Sequence, residues 1–114
     1  MGELQGIARF RFHEGGAEEF KRLSARCLEI VRAEDTGTLQ YETYFNDDES
    51  ECIVLERFRD SDALILHAQN MAPLMESIMA TGTVSGELLG DLSEELRAQM
   101  SDSPVGLFTL YQAL

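Results

Sequence analysis

The order in which two hydrophobic periods alternate along the 114 residues constrains this chain more than any single motif. Between Leu4 and Phe12, residues Ala8, Phe10 and Phe12 fall on one side of a two-residue repeat, with Arg9 and Arg11 on the other. That is the pattern of a half-buried strand. From Ala17 to Ala33 the spacing changes to three and four, and Phe20, Leu23, Cys27, Ile30 and Val31 make one helical stripe. Period two returns over Thr38 to Phe45, where Leu39, Tyr41, Thr43 and Phe45 share one face and Gln40, Glu42 and Tyr44 the other. The acidic loop Asn46 to Ser50 leads into a third strand, Glu51 to Arg59.

Asp60 or Ser61 is placed to cap a helix bearing Leu64, His67 and Ala68 on one face. The spacing ends that helix near Asn70 and predicts a separate helical piece over Pro73 to Met79, with Pro73 in its first turn. Thr83 to Asp91 reads as a strand. Asp91-Leu92-Ser93-Glu94 has capping-box spacing with Asp91 as the cap, starting a helix to about Met100. Val105 to Leu114 reads as a last strand or extended tail.

The resulting order, β-α-β-β-α-β and then a helix and a strand, predicts an α+β fold of the ferredoxin-like kind. In that arrangement two helices cover one face of a four-stranded antiparallel sheet. No linker interrupts it, so residues 1–114 read as one domain, with a core over about 4–91 and a C-terminal helix and strand over 92–114. The strands look apolar on both sides, so the uncovered sheet face is a predicted homodimer interface, with the C-terminal segment crossing onto the partner.

Charge narrows the partners. Nine basic residues stand against 21 acidic ones, a net charge of -12. A surface for nucleic acid needs clustered Lys and Arg, and an anionic membrane surface asks for the same. The longest purely aliphatic run, Ala63 to Leu66, is far short of a membrane span. The N-terminus lacks the basic start and apolar core of a signal peptide. Cys27 and Cys52 are isolated, which suits a reduced, cytoplasmic protein. His13 and His67 have no metal-ligand spacing between them, so no metal is expected.

His67 is the candidate catalytic residue. An imidazole titrating near neutrality can take a proton from a phenol or hydroquinone. Tyr41 and Glu56 are candidates to orient such a substrate, Phe58 to pack against its ring, and Leu64 to line the same space. The competing reading makes His67 a hydrogen-bonded core residue and fills the space with Phe10, Phe58, Leu64 and Met75.

The stretch from Gly37 to Asn70 resembles the antibiotic biosynthesis monooxygenase-like family of dimeric α+β barrels. The resemblance is carried by Gly37-Thr38-Leu39-Gln40-Tyr41-Glu42, by Val54-Leu55-Glu56-Arg57-Phe58, by Asp60 to Leu64, and by His67. It implies a homodimer, no cofactor, and monooxygenation of an aromatic, quinol-like or polyketide small molecule. The alternative is a non-catalytic binding or structural dimer of the same fold. Phe58 stands where many relatives carry Trp, and the haem-degrading branch relies on a Trp this chain lacks.

Overall fold

The computed structural model describes residues 2–114. Its elements are β1 (Leu4–Phe12), α1 (Gly16–Glu34), β2 (Thr38–Phe45), β3 (Glu51–Phe58), α2 (Ser61–Met79), β4 (Gly82–Leu89), α3 (Glu94–Gln99) and β5 (Gly106–Phe108). The sheet order is β2-β3-β1-β4-β5. The first four strands pair antiparallel, as the ferredoxin-like pattern requires, and β5 joins the edge parallel to β4.

The core lies between the sheet and the two long helices. Phe10, Cys52 and Val54 from the sheet meet Phe20, Leu23, Cys27 and Val31 of α1 and Met71, Leu74 and Ile78 of α2. A smaller cluster of Leu4, Ile65 and Leu96 ties α3 to α2 and β1. Asp60 caps α2 by accepting from the Ala63 N–H at 2.9 Å.

Four expectations are corrected. First, α2 does not stop near Asn70 but runs unbroken to Met79, with Pro73 inside it. Burial of Met71, Leu74 and Ile78 on one stripe outweighs the bond lost where Pro73 has no N–H to offer the Gln69 carbonyl. Second, Ala68 is exposed, and the buried stripe of α2 runs through Ala63, Ile65, His67 and Met71 instead. Third, a bulge between Thr38 and Gln40 turns Leu39 outward, where it is 46% exposed, while Tyr41 and Phe45 keep to the core. Fourth, Ser93 rather than Asp91 caps α3, its hydroxyl accepting from the Leu96 N–H at 3.1 Å.

The uncovered sheet face is also less apolar than expected. Tyr44 and Ile53 lie on it, exposed, but Arg9 pairs with Glu87 at 2.6 Å and Arg57 with Glu3 at 2.9 Å across the same surface.

The exposed Pro73 gives a direct test of the packing argument. Pro73→Ala restores the missing backbone bond without touching the buried stripe. It should stabilise the protein by about 1–3 kcal/mol, read as a higher thermal midpoint. An unchanged or lower midpoint would show that α2 is not strained there.

Candidate active site

The site is assembled where the end of α1, the start of β2 and the middle of α2 meet. Asp35 terminates α1 as its C-cap, its own N–H bonding to the Val31 carbonyl. Two residues on, Gly37 is buried against α2; a Cβ there would lie 2.5 Å from the Ala63 Cβ. Only a glycine lets the α1–β2 turn press this close, and the turn carries Asp35 against α2.

The Asp35 carboxylate is enclosed by three partners. Its Oδ1 accepts from the Asn70 amide at 2.7 Å. Its Oδ2 accepts from the Thr38 hydroxyl at 2.8 Å and lies 2.6 Å from the His67 Nδ1. The carboxylate side chain is only 1% exposed. Burial alone would raise its pKa, but the bonds from Asn70, His67 and Thr38 outweigh that and hold it below the ordinary carboxylate range. An ionised carboxylate can only accept, so Nδ1 is the protonated nitrogen of His67 and the lone pair of the neutral ring sits on Nε2.

That Nε2 faces Glu56, whose Oε2 is 3.8 Å away. The distance is too long for a hydrogen bond. Burial pushes the Glu56 carboxyl above its usual pKa, and the nearby His67 only partly offsets it. The imidazole therefore lies between two unlike acids, one held ionised behind it and one biased toward its protonated form in front.

Two cavities open between the helices and the sheet. The smaller, about 180 Å³, is lined by residues that include Phe20, Cys27, Tyr41, Val54 and Met71. The larger, about 490 Å³, lies toward the C-terminal segment and is lined by Leu64, Leu88, Met100 and Val105 among others. Glu56 and His67 line both. Neither lining contains Lys or Arg, so a phosphate-bearing cofactor would find no cationic partner there. Among the described residues no three His, Cys, Asp or Glu side chains are grouped to hold a metal ion.

The five side chains singled out from the sequence are thus distributed unevenly. His67, Glu56 and Tyr41 share the smaller cavity, with the Tyr41 ring 5.6 Å from that of His67. Burial raises the pKa of the Tyr41 hydroxyl and of the Cys27 thiol. Leu64 lines only the larger cavity of the two. Phe58 is fully buried and lines neither; its ring packs on His67 at 5.3 Å and holds the imidazole rather than a ligand. Sequence reasoning missed Asp35, Thr38 and the part Asn70 plays. A signal existed for Asp35: a negative charge at a helix C-terminus is disfavoured by the helix dipole and needs a compensating partner.

The fold thus brings the His67 imidazole and the Glu56 carboxyl to a largely apolar cavity, with the Asp35 carboxylate behind the ring. The family model for antibiotic biosynthesis monooxygenase matches residues 6–73, and the chain belongs to that family. Among solved structures, MupZ from Pseudomonas fluorescens is 24% identical with a TM-score of 0.87, over 100% of this chain and 90% of that one. SnoaB, a cofactor-independent oxygenase from Streptomyces nogalater, is 19% identical with a TM-score of 0.69, over 82% of this chain and 96% of that one. No curated protein matches the chain in sequence.

The two carboxyls predict opposite pH effects. Because the Asp35 pKa is lowered on folding, its contribution to stability is present above about pH 4 and lost as pH falls through the lowered value. Asp35→Asn should therefore cost about 1–3 kcal/mol at neutral pH, a difference that shrinks in acid. The Glu56 pKa is raised, so its contribution is present below about pH 4.5 and lost as pH rises through the raised value. Glu56→Gln should gain on the parent protein as pH rises. Thermal midpoints of both variants from pH 3 to pH 8 check the two signs.

Proposed function

We propose that the protein is a cofactor-independent monooxygenase acting on a neutral hydroxyarene such as a quinol, with His67 as the base. The observation that carries this reading is the Asp35–His67 pair, which holds the imidazole by Nδ1 at the wall of an apolar cavity. A cavity of about 180 Å³ is close to the size that accepts one benzene ring.

The chemistry follows from that geometry. His67 Nε2 removes the hydroxyl proton, and the aryloxide is electron-rich enough to give an electron to dioxygen. A C–O bond then forms at a ring carbon ortho to the hydroxyl, a position that carries hydrogen in a hydroquinone. Loss of that carbon's hydrogen breaks the O–O bond and leaves a carbonyl. The O–H and C–H hydrogens depart with one oxygen atom as water, and the other oxygen stays on the product. The substrate supplies four electrons and dioxygen accepts them, so no further reductant is required. Glu56, biased toward its protonated form, is placed to protonate the departing oxygen, and Tyr41 to orient the ring.

The same reading includes a homodimer through the uncovered sheet face, supported by the exposed Tyr44 and Ile53 there and by the exposed Phe108, Leu110 and Tyr111 at the C-terminus. Obligate interfaces usually bury more than ~2,000 Å². Sedimentation should give twice the chain mass at micromolar concentration; a stable monomer would remove the dimer.

Activity is tested by oxygen uptake with a panel of hydroquinones and hydroxynaphthalenes. His67→Ala should lower turnover by about 10²–10⁴-fold. The same change leaves a buried carboxylate short of a partner and should cost about 1–3 kcal/mol, so turnover is read on the folded fraction. Unchanged turnover in that variant, or no uptake by the parent protein across the panel, would favour the non-catalytic alternative.

A further inference from the structure

We propose that the larger cavity is a second compartment of the same site, built to take an uncharged, apolar tail on the substrate whose ring occupies the smaller one. The two spaces abut: Ala8, Glu56, His67, Met75, Met79 and Val84 line both. A molecule with its hydroxyl at His67 can therefore extend past Met75 and Met79 toward Leu64 and Leu88. The larger space, about 490 Å³, has the volume of an ordinary small-molecule site, which the smaller space alone lacks.

The C-terminal wall of this compartment lies outside the family-matched stretch. That stretch ends at residue 73, whereas Met100, Ser103, Pro104 and Val105 close the larger cavity from beyond it. The segment is held in place by Leu96 in the core and by β5 on β4, not by the ring-binding machinery. The larger compartment thereby has a wall that the smaller cavity does not share.

The tail's charge follows from its surroundings. The lining offers no Lys or Arg, and of its two carboxyls Glu87 is already paired with Arg9 while burial disfavours charge on Glu56. An anionic end would be desolvated there with no cation in the lining to meet it. The compartment therefore selects esters, alkyl chains or masked acids over free carboxylates and phosphates.

The inference rests on ring placement at His67 but not on oxygen chemistry, so binding is measured under nitrogen. Three probes suffice: methylhydroquinone, octylhydroquinone, and the octyl compound ending in a carboxylate, each titrated by calorimetry. Octylhydroquinone should bind at least tenfold tighter than methylhydroquinone, and the terminal carboxylate should abolish that gain. Val105→Trp fills the compartment and should return octylhydroquinone to the methylhydroquinone Kd while leaving the latter unchanged. Leu64→Trp repeats the test from the opposite wall should the first variant melt early. Equal Kd values for the methyl and octyl probes would overturn the proposal, as would a carboxylate probe as tight as the octyl one. Failure of all three probes to bind would overturn it as well. Tight, tail-dependent binding with no oxygen uptake in air would instead sink the oxygenase reading and leave the compartment standing.

Discussion

A buried carboxylate at the wrong end of a helix organises this molecule. Asp35 places negative charge where the dipole of α1 already disfavours it, and does so almost out of contact with water. The charge is tolerated because Thr38, His67 and Asn70 converge on it from β2 and α2. Those bonds join three elements at one point. They tie α2 to the end of α1 and hold the imidazole where the rings of Phe58 and Tyr41 pack on it. The imidazole is held on one side by these bonds and meets an apolar cavity on the other.

The fold was readable in the chain because each strand and helix carries its own period. Phe10 and Phe12 alternate with Arg9 and Arg11, and α1 keeps its stripe for five turns, so local pattern and tertiary burial agree. Disagreement arose where burial overrode a local signal. Pro73 ordinarily ends or opens a helix, yet here the stripe on both sides of it is buried and the helix continues. Leu39 obeys the alternation of its neighbours but not the bulge that displaces it, and a bulge leaves no mark on hydrophobic period.

The site was half readable for a related reason. His67 stands out as a rare residue on an apolar stripe, and Glu56 as a carboxylate on the core face of a strand. Asp35 reads as one acid among 21, in a stretch that looks like an ordinary helix end. Its significance depends on a partner 32 residues away. Single-sequence reasoning ranks residues by their neighbours along the chain, and Gly37, whose missing side chain allows the approach, speaks only to local backbone shape.

The strand order has a consequence during synthesis. β1 is made early, yet it lies in the middle of the sheet, and its two neighbours, β3 and β4, come far later in the chain. At about 5–20 residues per second, the ribosome takes several seconds to deliver the first of them. For that interval β1 exposes two bare edges and the rings of Phe10 and Phe12, the kind of segment that pairs with other chains. Arg9 and Arg11 alternate with those rings along the strand. They are two of only nine basic residues in the chain, and on the nascent strand they act as gatekeepers that hold it apart from its copies until its partners arrive.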